Sequence, residues 1–193
     1  MILLMTLLMV ALVGGSVIWT VRARELRRDA WKRFATSRQL GYADGRIAGV
    51  VSGFTVALFT ESRDAGKSSR DYTVVRCALN GALPEGFKLA RETLGDKLSQ
   101  MIGKPDHQLG VQEMDSTFLL DRLDDDARRV LSHRPVQERL LVLVQKYPGL
   151  RIGNAVLQLE TEKFLQTEEG LAEMLGDAVS LAITMERAKS RSR

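Results

Sequence analysis

The sequence predicts an α+β protein with an N-terminal transmembrane helix, followed by one domain in which helices cover a mainly antiparallel sheet. Three observations lead to this prediction. Residues 1–21 are apolar and carry no charged side chain. Short segments of alternating polarity, separated by turn residues, fill the first part of the body. Segments with helical periodicity dominate the second part, and no low-complexity linker divides the chain.

The first segment is long enough to be a membrane anchor. About 20 residues, at about 1.5 Å each, span the roughly 30 Å hydrocarbon core of a bilayer. Trp19 stands where an interfacial aromatic is expected, shortly before the first arginine. A cleaved signal peptide is the alternative, but it requires a positive N-terminal region, and this sequence is apolar from Ile2 onward. We therefore favour an anchor.

Basic residues follow the anchor and none precedes it. Because positive charge stays on the cytoplasmic side, this asymmetry predicts a single-pass protein of the bacterial inner membrane, with its N-terminus outside and its domain in the cytoplasm. The predicted membrane-interface residues are Trp19, Arg22, Arg24, Arg27, Arg28, Lys32 and Arg33. The predicted parts are the anchor (1–21), a basic juxtamembrane helix (22–40), the soluble domain (41–188) and a basic tail (189–193).

The position of the charges narrows the choice of partner. The formal net charge is +4, but residues 22–38 carry +5 and residues 186–193 carry +3, which leaves −4 for residues 39–185. An acidic body disfavours nucleic acid. The predicted partners are the lipid bilayer and either another protein or a second copy of the chain, for which Ala11 and Gly15 provide a small-residue pair in the anchor.

Alternation predicts the strands of the domain. Two strands flank Val51-Ser52-Gly53, where Gly53 is available for a left-handed turn position, and together with the next two they form an antiparallel meander. In the following strand, Thr73, Val75 and Cys77 share one face. The predicted strands are Arg46–Val50, Phe54–Thr60, Tyr72–Leu79, Phe87–Arg91, Val111–Glu113, Phe118–Leu123, Leu150–Ile152 and Ala155–Thr161, the last two joined at Gly153-Asn154.

Periodicity and capping residues predict the helices. Asp124 or Asp125 caps a helix that continues through Ser132, and Pro135 begins a helix that ends at Lys146. A short helix is predicted over Asp96–Ile102, and a final helix over Glu168–Ala188 covers the sheet. The basic helix 22–40, ended by Gly41, either lies on the membrane or packs Trp31 and Phe34 on the domain. We favour packing.

No catalytic, cofactor or metal site is predicted. Ala65-Gly66-Lys67-Ser68 resembles part of a phosphate-binding loop, but Glu61 replaces the first glycine and a strand follows. The two histidines, His107 and His133, lack further ligands at metal spacing, and Asp124, Asp125 and Asp126 suit a helix N-terminus better than a cation. Cys77, the only cysteine, is predicted to be a core residue, and Glu160 and Glu162 to face solvent.

Several local features resemble those of uncharacterised, membrane-anchored bacterial α+β proteins. They are Trp31 with Leu40-Gly41, the strand pair around Gly53, Leu83-Pro84 before a strand, and Phe118 ahead of an acidic helix start. Those proteins are expected to contain Gly-Asp-x-x-Phe-Asp, where this chain has Met114-Asp115-Ser116-Thr117-Phe118-Leu119. The resemblance implies the anchor and the α+β domain, and it supplies no activity.

Three functional hypotheses follow from the sequence. The first is a non-enzymatic, membrane-tethered interaction or assembly module. The second is an enzyme whose site is assembled only in three dimensions, for example from His107, Glu113 and Asp115. The third is a peripheral protein that binds anionic lipid through the basic segments at both ends of the chain. The anchor and the acidic body favour the first hypothesis.

Overall fold

A computed structural model gives the fold and describes residues 25, 28–64, 66, 69–92 and 108–191. The predicted anchor 1–21 and the predicted helix Asp96–Ile102 lie outside the described residues. No helix within the described ranges is both long and apolar enough to cross a membrane. The α+β class is confirmed, because eight antiparallel strands form one sheet and helices pack on it.

Five strands follow one another in the first half of the chain, and helices and strands alternate in the second half. The strands are β1 (Gly41–Ala43), β2 (Arg46–Val51), β3 (Phe54–Asp64), β4 (Ser69–Ala78), β5 (Lys88–Arg91), β6 (Phe118–Asp121), β7 (Arg151–Gly153) and β8 (Val156–Thr161). The helices are α1 (28–37), α2 (Gln112–Asp115), α3 (Asp125–Leu131), α4 (Arg134–Lys146) and α5 (Glu168–Ser190).

The strand order is β1-β2-β3-β4-β8-β7-β5-β6. The meander of β2, β3 and β4 is confirmed, but its predicted fourth strand is wrong, because β8 and not β5 pairs with β4. In this register Leu157 lies opposite Cys77 and Leu159 opposite Val75, which extends the apolar row across the sheet. Strand β5 offers only one buried residue, Leu89, and pairs instead with the short strands β6 and β7.

One face of the sheet is covered by helices and forms the core. Val75, Cys77, Leu157 and Leu159 are fully buried there. Helix α5 contacts β3, β4 and β8 and contributes a stripe of nine buried residues, because apolar side chains recur along it at helical spacing. The prediction that the final helix covers the sheet is therefore confirmed.

Polar contacts connect helices α4 and α5 at the surface of the core. The Tyr147 hydroxyl donates a hydrogen bond to Asp177 over 2.9 Å, and the Lys146 ammonium lies 2.6 Å from both Asp177 and Glu173. Burial of the ring, together with the hydrogen bond to Asp177, raises the pKa of the Tyr147 hydroxyl. Tyr147 therefore remains a neutral donor that connects the two helices.

Helix α1 packs on the domain, as we favoured. Trp31 and Phe34 are buried, and the Trp31 indole N–H donates to the Leu165 carbonyl over 2.9 Å. The predicted stop at Gly41 is wrong. Gln39 takes the left-handed conformation (φ 56°) and the Leu40 N–H donates to the Ala35 carbonyl over 2.8 Å, so the helix ends at residue 37, three residues before the predicted end at residue 40.

The strand predicted over Val111–Glu113 is also wrong, because Gln112–Asp115 forms a helical turn. The Asp115 carboxylate accepts the backbone N–H groups of Leu109 (2.7 Å) and Gly110 (2.8 Å), and these local bonds replace a sheet ladder. Other local predictions are confirmed. Asp124 caps α3 by accepting the Ala127 N–H over 2.8 Å, and Pro135 lies in the first turn of α4.

Both predicted hairpin turns are present in the sheet, one of them shifted by a residue. Gly53 has φ 86°, which confirms its predicted left-handed conformation. The second turn is shifted by one residue from Gly153-Asn154 to Asn154-Ala155. Asn154 (φ 52°) and Ala155 (φ 54°) are both left-handed, as a two-residue hairpin turn of this type requires. The shift places Gly153 in strand β7, opposite Val156.

Candidate functional site

The second face of the sheet is the candidate functional site. Side chains alternate along each strand, so the residues between the core positions of β4 and β8 project to the opposite face. Arg76, Gln158 and Arg151 lie opposite one another across β4, β8 and β7. Helix α5 packs on the core face of these strands, whereas Arg76 on this second face keeps 41% of its side chain exposed. We call this surface, which also includes Arg63 and Glu160, the open face.

A closely spaced ion-pair network lies at one end of the open face. Both terminal nitrogens of the Arg63 guanidinium contact the Glu160 carboxylate, at 2.6 and 2.7 Å, and one of them also lies 2.7 Å from Glu61. The Glu160 side chain is only 10% exposed. This bidentate ion pair fixes the orientation of both side chains. Hydrogen bonds to Glu160 and Glu61 raise the pKa of Arg63, so its charge is permanent.

The arginine at the centre of the open face is held by two contacts. The Arg76 Nε donates to Gln158 Oε1 over 2.9 Å, and its guanidinium lies 4.9 Å from the ring centre of Phe59. Arg46 lies over the same ring at 4.8 Å. Gln158 is itself buried and directs its amide toward Glu160, 3.3 Å away. Arg76 therefore occupies a defined position while 41% of its side chain remains exposed.

A groove of about 520 Å³ adjoins Arg76 on the open face. Its cationic lining comes from three strands, with Arg76 on β4, Arg151 on β7 and Lys88 on β5, and its amides are those of Asn154 and Gln158. The antiparallel register brings these residues together, since Lys88 lies opposite Gly153 and Ala90 opposite Arg151. The groove therefore combines positive charge with hydrogen-bonding groups on a rigid sheet.

The field of these cations extends beyond the groove. The hydrogen bond from Arg63 lowers the pKa of the Glu61 carboxyl, burial opposes this shift, and the charges of Arg63, Arg76 and Arg151 add to the lowering. Arg151 on β7 acts on Glu61 on β3 from three strands away, so the charges of the groove contribute to the environment of the ion-pair network.

The predicted membrane-interface residues are only partly described. Trp19, Arg22, Arg24 and Arg27 lie outside the described residues. Arg28, Lys32 and Arg33 are exposed on α1, and the Arg33 Nε donates to Glu168 at the start of α5 over 2.9 Å. This pair connects α1 to α5 on the surface.

The other candidate residues have structural surroundings. Cys77 is fully buried, and burial raises the pKa of its thiol to about 12, so the thiolate is not formed at neutral pH. Asp115 binds backbone N–H groups, and His107 lies outside the described residues. His133 precedes α4, and its Nδ1 is buried without a described partner. Residues 65–68 lie between two paired strands, with Asp64 opposite Ser69, and strand β4 follows them where a phosphate-binding loop requires a helix.

Sequence analysis did not identify the central role of Glu160. Alternation placed it on the non-core face, which was right, but the prediction that it faces solvent is wrong because Glu160 is buried beside Arg63. Gly149 also lies against it, so that a Cβ at position 149 would lie 2.8 Å from the Glu160 Cβ. The usable signal was the alternation of Glu61 and Arg63 in β3, which places both charges on the same face as Glu160.

Comparison with known proteins adds little. No protein-family model and no curated protein matches this chain. Among solved structures, the chain is similar to the crystal structure of the mycobacterial trehalose monomycolate transport factor A, TtfA, with a TM-score of 0.43 and 12% sequence identity. The similarity covers 84% of this chain and 93% of that one. A likeness this low in score and identity carries no inference about function.

Proposed function

We propose that this protein is a non-enzymatic, membrane-tethered interaction module, and that the open face of its sheet contacts a protein partner. The anchor predicted over residues 1–21 would hold the domain at the membrane, and the arginines behind it would keep the domain in the cytoplasm. In this proposal the helices stabilise the fold, and the open face provides recognition.

The observation that carries the proposal is the ordered polar surface on the open face. Arg63, Glu160, Gln158 and Arg76 form one continuous series of hydrogen bonds and ion contacts across β3, β8 and β4. Such a network holds charged groups in fixed positions, which lowers the entropic cost of binding a complementary surface. Arginine and aromatic side chains are enriched at protein interfaces, and the open face carries both in the contact of Arg76 with Phe59.

Site-directed photo-crosslinking in cells tests the proposal. A photoreactive amino acid replaces Val50 or Ala90, which lie toward opposite edges of the open face, in the full-length chain. The matched control carries the same amino acid at Val142 on α4, because Val50 and Val142 are equally exposed, at 64% and 65%. We expect a discrete crosslinked protein from at least one open-face position and none from Val142.

The identity of the crosslinked protein decides the result. Recovery of the same protein in stoichiometric amounts after mild detergent extraction would support the proposal. Crosslinks from Val142 alone would move the contact surface to the helices and reject the open face. If neither surface gives a crosslink and the extracted protein is monomeric and free of partners, the interaction function is rejected.

A further inference from the structure

The groove on the open face has a positive charge within an otherwise acidic domain. Residues 39–185 carry a net charge of −4, yet Arg76, Lys88 and Arg151 are the charged residues that line the groove. No carboxylate is present among the described residues that line it. Because the charge of the groove is opposite to that of the domain around it, an anionic group is attracted to this position specifically.

The three cations are incompletely compensated by their neighbours. Arg76 lies 3.7 Å from Glu61, and Lys88 lies 3.6 Å from Asp121. Both separations are much longer than the 2.6 Å between Arg63 and Glu160 on the same face. The Arg151 side chain is exposed, and within the described part of the chain its backbone pairing in the sheet is the contact that the structure shows. The cations of the groove can therefore still bind carboxylate groups, whereas Arg63 is already paired with Glu160.

The charge balance favours carboxylates over a polyanion. Three cations beside the carboxylates of Glu61 and Asp121 leave an excess of a single positive charge. Nucleic acids and anionic membranes are bound by surfaces with many uncompensated cations, and their affinity depends on that number. An acidic peptide segment needs fewer, because guanidinium groups pair with individual carboxylates and the exposed Asn154 amide can bind a backbone amide.

The geometry points to an extended occupant. Arg76 and Arg151 are separated by strand β8, and neighbouring strands are about 4.8 Å apart, so their backbones lie roughly 10 Å from each other. We propose that the groove binds an acidic segment of the protein partner, with carboxylates on Arg76, Arg151 and Lys88. This assignment rests on the proposed function, since it specifies the chemistry of the partner at the open face.

Fluorescence anisotropy with a defined probe tests the assignment. The probe is a fluorescein-labelled peptide of alternating glutamate and serine, and the control peptide has glutamine in place of glutamate. The full-length protein in detergent micelles should bind the first peptide and not the second. Arg151→Glu should weaken binding by about tenfold or more, because a charge-assisted hydrogen bond is replaced by repulsion. Lys88→Gln should have a smaller effect in the same direction.

A matched variant separates this specific effect from overall charge. Arg139 is an exposed arginine on α4, so Arg139→Glu makes the same change of charge on the helical side of the domain. This variant should bind the acidic peptide like the wild type. Equal weakening by Arg139→Glu and Arg151→Glu would show that binding depends on net charge, and would overturn the assignment. Thermal unfolding of each variant confirms that it is folded.

The remaining outcomes also give a decision. If the acidic peptide does not bind, but inorganic phosphate or vesicles containing phosphatidylserine bind in a manner that depends on Arg151, the groove accepts a phosphate group and the acidic segment is rejected. If open-face crosslinks form while the acidic peptide fails to bind, only the chemistry assigned to the groove is rejected. If the peptide binds while no crosslink forms and the extracted protein is monomeric and free of partners, the groove stands and the interaction function is rejected.

Discussion

The two faces of the sheet use the same strands in opposite ways. On the helix-covered face Val75 and Leu159 are fully buried against apolar side chains. On the open face the alternating residues of the same strands, Arg76, Gln158 and Glu160, make ion pairs and hydrogen bonds. The covered face therefore supplies most of the hydrophobic stabilisation, and the open face is organised by polar contacts.

This difference shows how a small domain can separate stability from recognition. A strand directs its side chains alternately to two sides, so the residues that pack against the helices differ from those on the open face. Helices on one side bury enough apolar area to keep the domain folded. The charged residues on the other side are not needed for the hydrophobic core. They can therefore complement the charges of a partner while the hydrogen-bond network holds them in position.

The largest expected effect comes from a matched pair of valine substitutions, one on each face. Val75→Ala removes buried methyl groups beneath α5 and should lower the free energy of unfolding by about 2–4 kcal/mol. Val50→Ala on the open face should change it by less than about 0.5 kcal/mol, because Val50 is exposed. Urea unfolding of both variants measures the difference.

A similar loss of unfolding free energy in the two valine variants would contradict the proposed difference between the two faces. They would mean that Val50 is also covered, and that the open face contributes to the core. A large cost at Val75 with no effect at Val50 would confirm that the helices stabilise one face alone.

An intermediate effect is expected from the ion pair between Arg63 and Glu160. Each single variant, Arg63→Gln or Glu160→Gln, should lower the free energy of unfolding by about 1–3 kcal/mol, because it leaves a partly buried charge without its partner. The double variant should cost less than the sum of the singles by about 1–2 kcal/mol. Urea unfolding of the three variants and the wild type gives this coupling energy.

An exposed ion pair on the helical side provides the control. Arg134 and Glu138 on α4 are 2.7 Å apart, but their side chains are 87% and 58% exposed. Solvent screens such a pair, so its coupling energy should be no more than about 0.5 kcal/mol. If both pairs gave the same small coupling, the network on the open face would be an ordinary solvated surface with no fixed geometry.

The sequence predicted the covered face better than the open one. Thr73, Val75 and Cys77 could be assigned to one side because side chains alternate along a strand, although Val74 between them is also fully buried. The place of β8 beside β4 could not be predicted, since the pairing of strands far apart in sequence depends on how their apolar rows match in three dimensions.

The candidate site was less predictable for a related reason. Arg76, Lys88 and Arg151 belong to three strands that are distant in sequence, and only the sheet order brings them to one groove. Charged residues on an outward face look alike in sequence whether they are solvated or paired. The burial of Glu160 beside Arg63 therefore required the register of the strands to be known.

The smallest expected effect is the pH dependence of Glu61. Its pKa is lowered in the folded protein, so its contribution to stability is fully present above the ordinary pKa of a glutamate and is lost as the pH falls through the lowered value. At neutral pH the wild type should therefore be more stable than Glu61→Gln, and this difference should disappear in acid. Urea unfolding of both proteins over a series of pH values measures it.

The size of this difference also tests the connection between the ion-pair network and the groove. Glu61 is about one-third exposed (32%), so screening keeps its contribution below that of the Arg63–Glu160 pair, and added salt should reduce it further. Because Arg151 contributes to lowering the pKa of Glu61, the difference should shrink when it is measured in an Arg151→Gln background. An unchanged difference in that background would mean that the groove and the network act independently, and that the open face is two separate surfaces.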